Sequence, residues 1–116
     1  MASLFLFEIG GSNMKFGKAI KLMKQGYKLK RAGWNGKDQF VFYVDGIDMG
    51  TMLSNSVDSY YQVGEWKRDN FMNLLGDENS SISDFLAIKT TSNQVQLGWL
   101  ASQADMLAND WEIYSN

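Results

Sequence analysis

The chain has 116 residues, 45% hydrophobic and 14% aromatic, which supplies one real core but not two and excludes the disordered class. It contains no Cys and no His, so disulfides, thiol nucleophiles, most zinc sites and the commonest general base at neutral pH are unavailable. Net charge is −2, and a pI near 4.9 disfavours an extended nucleic-acid surface, because such a chain repels a long polyanion.

Leu4 to Ile9 form an apolar run of strand length, far short of a bilayer span. Lacking a basic start or a small-residue cleavage pattern, it does not read as a secretory signal. Gly10-Gly11-Ser12-Asn13 breaks the chain and Met14 offers an alternative start. Residues 1–13 are therefore expected to be an N-terminal extension, non-native or, if native, an added edge strand.

From Lys15 to Gln25, Phe16, Ala19, Ile20 and Met23 follow the spacing of an amphipathic helix, with Asn13 expected to cap its start and Gly26 its end. Phe16 reads first as core, although the first helical turn also places its ring near a pocket edge. Lys15, Lys18, Lys21, Lys24, Lys28, Lys30, Arg31 and Lys37 follow one another with no Asp or Glu among them, giving this half of the chain a field that favours an anion. The lysines up to Lys24 read as a solvated helix face.

Tyr27 to Arg31 alternate as a half-buried strand, and Gln39 to Val44 make a more deeply buried one. Between them, Asn35-Gly36 predicts a turn with positive φ. That turn would put the Trp34 ring beside a reversal, flanked by Arg31 and Lys37. A planar ring bordered by cations suits a nucleotide, with Arg able to grip phosphate through two parallel hydrogen bonds; a core or hairpin-closing role for Trp34 is the competing interpretation.

Asp45-Gly46 is a further turn signal. From Ile47 to Ser83 the pattern weakens, as expected of a functional loop or long central insertion whose Tyr60, Tyr61, Trp66 and Phe71 supply a lid or intersubunit contact. Asp84 to Thr91 and Gln94 to Leu100 read as a hairpin turning at Ser92-Asn93, with Gly98 allowing close approach beside Trp99. Ser102 is placed to cap a short helix, Gln103 to Ala108, together with Asp105. Trp111 to Tyr114 return as a last strand. The fold class is α+β: one main N-terminal helix packed on a mostly antiparallel β-sheet.

Two segments carry a resemblance. Phe16-Gly17-Lys18-Ala19 through Gly26, with Arg31-Ala32-Gly33-Trp34-Asn35-Gly36-Lys37, and the tail from Trp99 through Ser102-Gln103-Ala104-Asp105-Met106 to Asp110-Trp111-Glu112 resemble the Thoeris anti-defence 2-like family of small, mostly phage-encoded proteins. The resemblance spans Met14 to about Tyr114, so residues 14–116 are expected to be one such domain with its insertion at about 47–83.

The resemblance implies a homotetrameric sponge in the host bacterial cytoplasm that binds a cyclic ADP-ribose-type immune signal without cleaving it. It implies no catalytic residue, no cofactor, no metal, no nucleic acid polymer and no membrane. Residue by residue it points to Phe16, Trp34, Asn35, Trp99 and Met106 as the pocket lining and to Arg31 and Lys37 as anion partners. Asp105 would either accept from the ligand or cap its helix. Some relatives take up cyclic oligonucleotide signals, which is one alternative. A structural or protein-binding phage module is another. Hydrolysis by paired acids such as Asp105 with Asp110, or Asp77 with Glu78, is a third, although their spacing matches no metal motif.

Overall fold

The computed structural model describes residues 13–55, 62–63, 66–67 and 80–115. The expected strand at Leu4 to Ile9 and the aromatics Tyr60, Tyr61 and Phe71 lie outside the described residues. Chain order is α1 (Phe16–Lys24), β1 (Leu29–Arg31), β2 (Phe40–Val44), α2 (Gly46–Asn55), β3 (Gln62–Val63), β4 (Trp66–Lys67), β5 (Phe85–Lys89), β6 (Val95–Leu97), α3 (Gln103–Leu107) and β7 (Trp111–Ile113).

Two compact units result. Residues 44–84 form one, holding α2 and the β3–β4 pair; the flanking segments form the other. In the sheet the strand order is β6-β5-β2-β1-β7. β1 pairs antiparallel with both β2 and β7, Leu29 standing opposite Val41 on one side and Ile113 on the other. β5 and β6 form an antiparallel hairpin with Ala87 opposite Leu97. The α+β class read from the sequence is the observed one, with three helices among the described residues in place of one dominant helix.

Directly opposed residues share a face and neighbours along a strand alternate, so Leu29, Val41 and Trp111 point the same way. They meet α1, whose Ala19, Leu22 and Met23 are buried, in a core completed by Met14 and Ile88. Met14 exchanges two backbone hydrogen bonds with Trp111, at 3.0 and 3.1 Å, which extends the sheet beyond β7 and makes this residue part of the ladder. All four lysines of the α1 segment, Lys15, Lys18, Lys21 and Lys24, are exposed, as their spacing predicts.

The ends of α1 differ from each other. Asn13 does not cap it: the N-cap is Lys15, without a side-chain cap bond, and Asn13 itself adopts φ +57°. Gly26 does end the helix. Its N–H donates to Met23 O at 2.9 Å and the Tyr27 N–H reaches Leu22 O at 3.1 Å, the paired bonds of a Schellman stop, with Gly26 at φ +101° where a Cβ would be strained.

Helix α2 replaces the turn expected at Asp45-Gly46. The Asp45 carboxylate accepts from the Ile47 and Asp48 N–H groups at 2.8 and 3.0 Å, so the dipeptide starts a helix instead of reversing the chain. Gly46 is required there because its backbone lies against Ile82, where any Cβ would collide with the Ile82 carbonyl.

Candidate functional site

The site is assembled from both ends of the sheet-forming unit. β1 ends at Arg31, and the chain turns at once: the Trp34 N–H donates to Arg31 O at 3.1 Å. The reversal is therefore at Ala32-Gly33 and not at Asn35-Gly36, neither of which has positive φ; the left-handed residue of this loop is Asp38, at φ +58°. The correction has a local cause. The Asp110 carboxylate accepts from the Gly33 N–H at 3.0 Å and pins the earlier turn, which the local Asn-Gly preference does not register.

Turning there brings Trp34 against two indoles from the far end of the chain. Its ring centroid lies 6.3 Å from Trp99 and 5.5 Å from Trp111, and Trp99 lies 6.3 Å from Trp111, all three pairs near perpendicular. Phe16 packs on the other side of Trp111, with centroids 5.4 Å apart. Edge-to-face pairs of this kind add about 0.5–1.5 kcal/mol each beyond their buried area. Trp111 is fully buried, while Phe16, Trp34 and Trp99 are half-buried. Trp111 is thus the anvil of the cluster; the sequence reading used it as a strand residue and as part of the family motif and did not name it as a positioning ring. Its indole N–H donates to Asp105 O at 2.8 Å, tying the cluster to α3.

The perpendicular arrangement limits what the cluster can do. Trp34 and Trp99 touch edge to face, so no parallel slot exists between them in which a base could be sandwiched. Any planar ligand must lie on an outward surface of one ring.

Beneath the indoles runs a charged clasp. Arg31 donates from Nε to Asp110 Oδ1 at 2.9 Å and from Nη1 to Asp105 Oδ1 at 3.0 Å, joining β1 to both ends of the α3 segment. The side chains are only 21%, 14% and 32% exposed for Arg31, Asp105 and Asp110. The hydrogen bonds to Asp110 and Asp105 hold the guanidinium pKa above its ordinary value. The Asp110 carboxyl is held below the usual aspartate range by the Arg31 hydrogen bond, with the Gly33 N–H adding to it against burial. At Asp105 burial pushes up, but the Ser102 N–H and Arg31 outweigh it and the carboxyl is also held low.

These bonds change the role of two expected ligand residues. Arg31, expected as an anion partner, spends its charge on two carboxylates and acts as a structural clasp. Asp105 uses Oδ1 for Arg31 and Oδ2 for the Ser102 N–H, while its own N–H donates to Ser102 Oγ at 3.0 Å. This is the complete capping box predicted for α3.

Met106 is 46% exposed on α3 beside Leu107 at 78%, and Leu100 precedes the helix at 88%. Asn35 and Lys37 are exposed beyond the turn and are not drawn into the indole cluster. Gly98 adopts φ +81° with open space where a Cβ would stand, so it serves the backbone bend before Trp99 and not a close approach.

The chain is similar to known proteins over nearly its whole length. The model of the Thoeris anti-defense 2-like domain matches residues 14–114. The chain belongs to the Thoeris anti-defense 2-like family. A relative from Bacillus phage SP01, itself named Thoeris anti-defense 2, is 31% identical over 104 residues, covering 90% of this chain and 98% of the relative. The matched span runs across the sheet-forming unit and residues 44–84 alike. No group of three acidic, His or Cys side chains able to hold a metal occurs among the described residues. No helix among them is long and apolar enough to cross a membrane.

Proposed function

We propose that this protein captures a cyclic nucleotide signal of the cyclic ADP-ribose type on the Trp34–Trp99 surface and holds it intact in the host bacterial cytoplasm, so that the Thoeris effector is not triggered. Family membership supports the phage anti-defence role. The observation that carries the ligand reading is the meeting of Trp34 and Trp99, from opposite ends of the chain, as half-buried rings on one buried indole. Half-burial fixes each ring while leaving surface for stacking.

Sequestration without cleavage is supported by how the nearby acids are used. Asp105 and Asp110 are bonded to Arg31 and to backbone N–H groups, contacts that hold both carboxyls low and disfavour either as a general acid. Phe16, packed on Trp111, and exposed Met106 of α3 would supply apolar lining, and Lys37 with Asn35 would reach the ligand from beyond the turn.

One chain offers too little surface for tight capture. Nanomolar affinity needs about −12 kcal/mol, and stacking on one aromatic gives roughly 1–3 kcal/mol per base. A second protomer is needed to cover the ligand, and exposed Leu100, Met106 and Leu107 beside the cluster provide the apolar contact. Assembly, to a tetramer, and binding are therefore linked.

The test mixes purified protein with the signal and measures effector activation, then heat-denatures the complex and recovers the ligand. Blocked activation with intact ligand recovered is expected; a cleaved product overturns sequestration. Trp34→Ala is expected to lose binding and keep the oligomer, and unfolding of that variant would assign the ring to the core instead.

A further inference from the structure

The register places a second group of aromatic and basic side chains on the face of the sheet opposite α1. Leu29 faces the core opposite Val41 and Ile113, so Lys28, Phe40 and Tyr114, one residue away on each strand, point the other way. The Tyr114 N–H donates to Lys28 O at 2.8 Å, which continues the ladder to that pair. Phe40 and Tyr114 then meet at 4.7 Å between ring centroids. Lys28 Nζ lies 4.9 Å from the Phe40 centroid and 5.2 Å from that of Tyr114, and Lys89 Nζ, from β5, lies 5.7 Å from Phe40.

We propose that this face carries a binding site for a small planar aromatic anion, with Phe40 and Tyr114 as its apolar walls and Lys28 and Lys89 as its cations. An open cavity of about 460 Å³ is bounded by these four residues and Asp38. A second of about 370 Å³ shares Lys28, Phe40 and Lys89 and runs past Phe42 and Val95 round to Tyr27, Tyr43 and Met23 at the end of α1. Neither includes Trp34 or Trp99.

The charges are the deciding feature. Lys30 is paired with Glu112 at 3.4 Å and Arg31 with two aspartates, whereas Lys28 and Lys89 form no ion pair among the described residues. Lys89 donates to a neutral acceptor, the Asp38 carbonyl, at 3.0 Å. The Asp38 carboxylate is engaged by the Tyr114 hydroxyl at 3.0 Å. Two ammonium groups over one ring repel each other, and the ring quadrupole and the Asp38 carboxylate at the cavity edge offset this only in part. An anion between them removes the repulsion, and a flat aromatic body fills the space against Phe40 and Phe42.

Calorimetric titration of the full chain with naphthoate tests the site. One saturable site per chain is expected, with Lys28→Gln and Lys89→Gln each weakening binding roughly fivefold and Phe40→Leu by a similar factor. Circular dichroism verifies that these variants stay folded. Naphthol, with the ring and no charge, and inorganic phosphate, with the charge and no ring, are each expected to bind at least about tenfold more weakly. Trp34→Ala is expected to bind naphthoate like the parent, which separates this site from the one proposed above. Absence of saturable binding, equal affinity for phosphate, unchanged affinity in the lysine variants, or loss on Trp34→Ala would each overturn the proposal.

Discussion

Replacing Arg31 by Ala is the most informative perturbation of the clasp. It removes two charge-assisted bonds, of 2.9 and 3.0 Å, and leaves two carboxylates facing each other without their shared cation. Fully buried pairs cost about 3–5 kcal/mol to break, and exposed pairs about 0.2–1 kcal/mol. With side chains 21%, 14% and 32% exposed, the clasp lies between these limits, so a loss of about 2 kcal/mol is expected once solvent screening is allowed for. That corresponds to a Tm roughly 8 °C lower for a chain of this size. Urea unfolding followed by tryptophan fluorescence measures it, and the indole environment should change with it, because the clasp holds the Trp34 turn through Asp110. Asp110→Asn, which keeps an acceptor for the Gly33 N–H, should lose about half as much. A loss below about 1 kcal/mol in Arg31→Ala would show the clasp to be an ordinary surface ion pair.

Acid should act through the same residues. The Asp105 and Asp110 carboxyls sit below their ordinary value of 3.8 in the folded state, so the unfolded chain binds more protons. Their contribution is complete above about pH 5 and drains away as pH falls from there through the folded-state values; denaturation curves at falling pH should show this in the parent and much less in Arg31→Ala. Gly26→Ala is expected to lower stability by about 1–2 kcal/mol, measured by thermal melts, because φ +101° excludes a Cβ although the surrounding space is open. Ser102→Ala removes one half of the α3 capping box and should cost about 1 kcal/mol in the same assay.

Much of this arrangement was legible in residue order. The lysine spacing defined the solvated side of α1, Gly26 its stop, and Ser102 with Asp105 the start of α3, because each signal acts within a turn of helix. The β5–β6 hairpin was legible for the same reason: Asn93 takes φ +62° and Thr90 N–H closes the loop on Gln94 O at 2.8 Å. The convergence of Trp34 and Trp99 came from the family resemblance, and local pattern alone would not have given it.

What failed was set at long range. Arg31 is cationic and next to an aromatic ring, so it looks like an anion grip until Asp105 and Asp110, more than seventy positions later, occupy it. The Ala32-Gly33 reversal depends on the same distant carboxylate. The start of α2 at Asp45 was misjudged for a local reason, since Asp-Gly serves as well for a helix entry as for a hairpin turn. Lys28, Phe40, Lys89 and Tyr114 come from four separate segments, and only strand register puts them on one face.

The neighbouring places of β2 and β5 in the sheet bear on how such a protein can diversify. The chain leaves one strand and re-enters at the strand beside it, so the span between Val44 and Phe85 begins and ends at almost the same location. Closing such an excursion costs only about 0.6 kcal/mol more for each doubling of its length. In closure entropy alone, a change in the length of that span is therefore cheap.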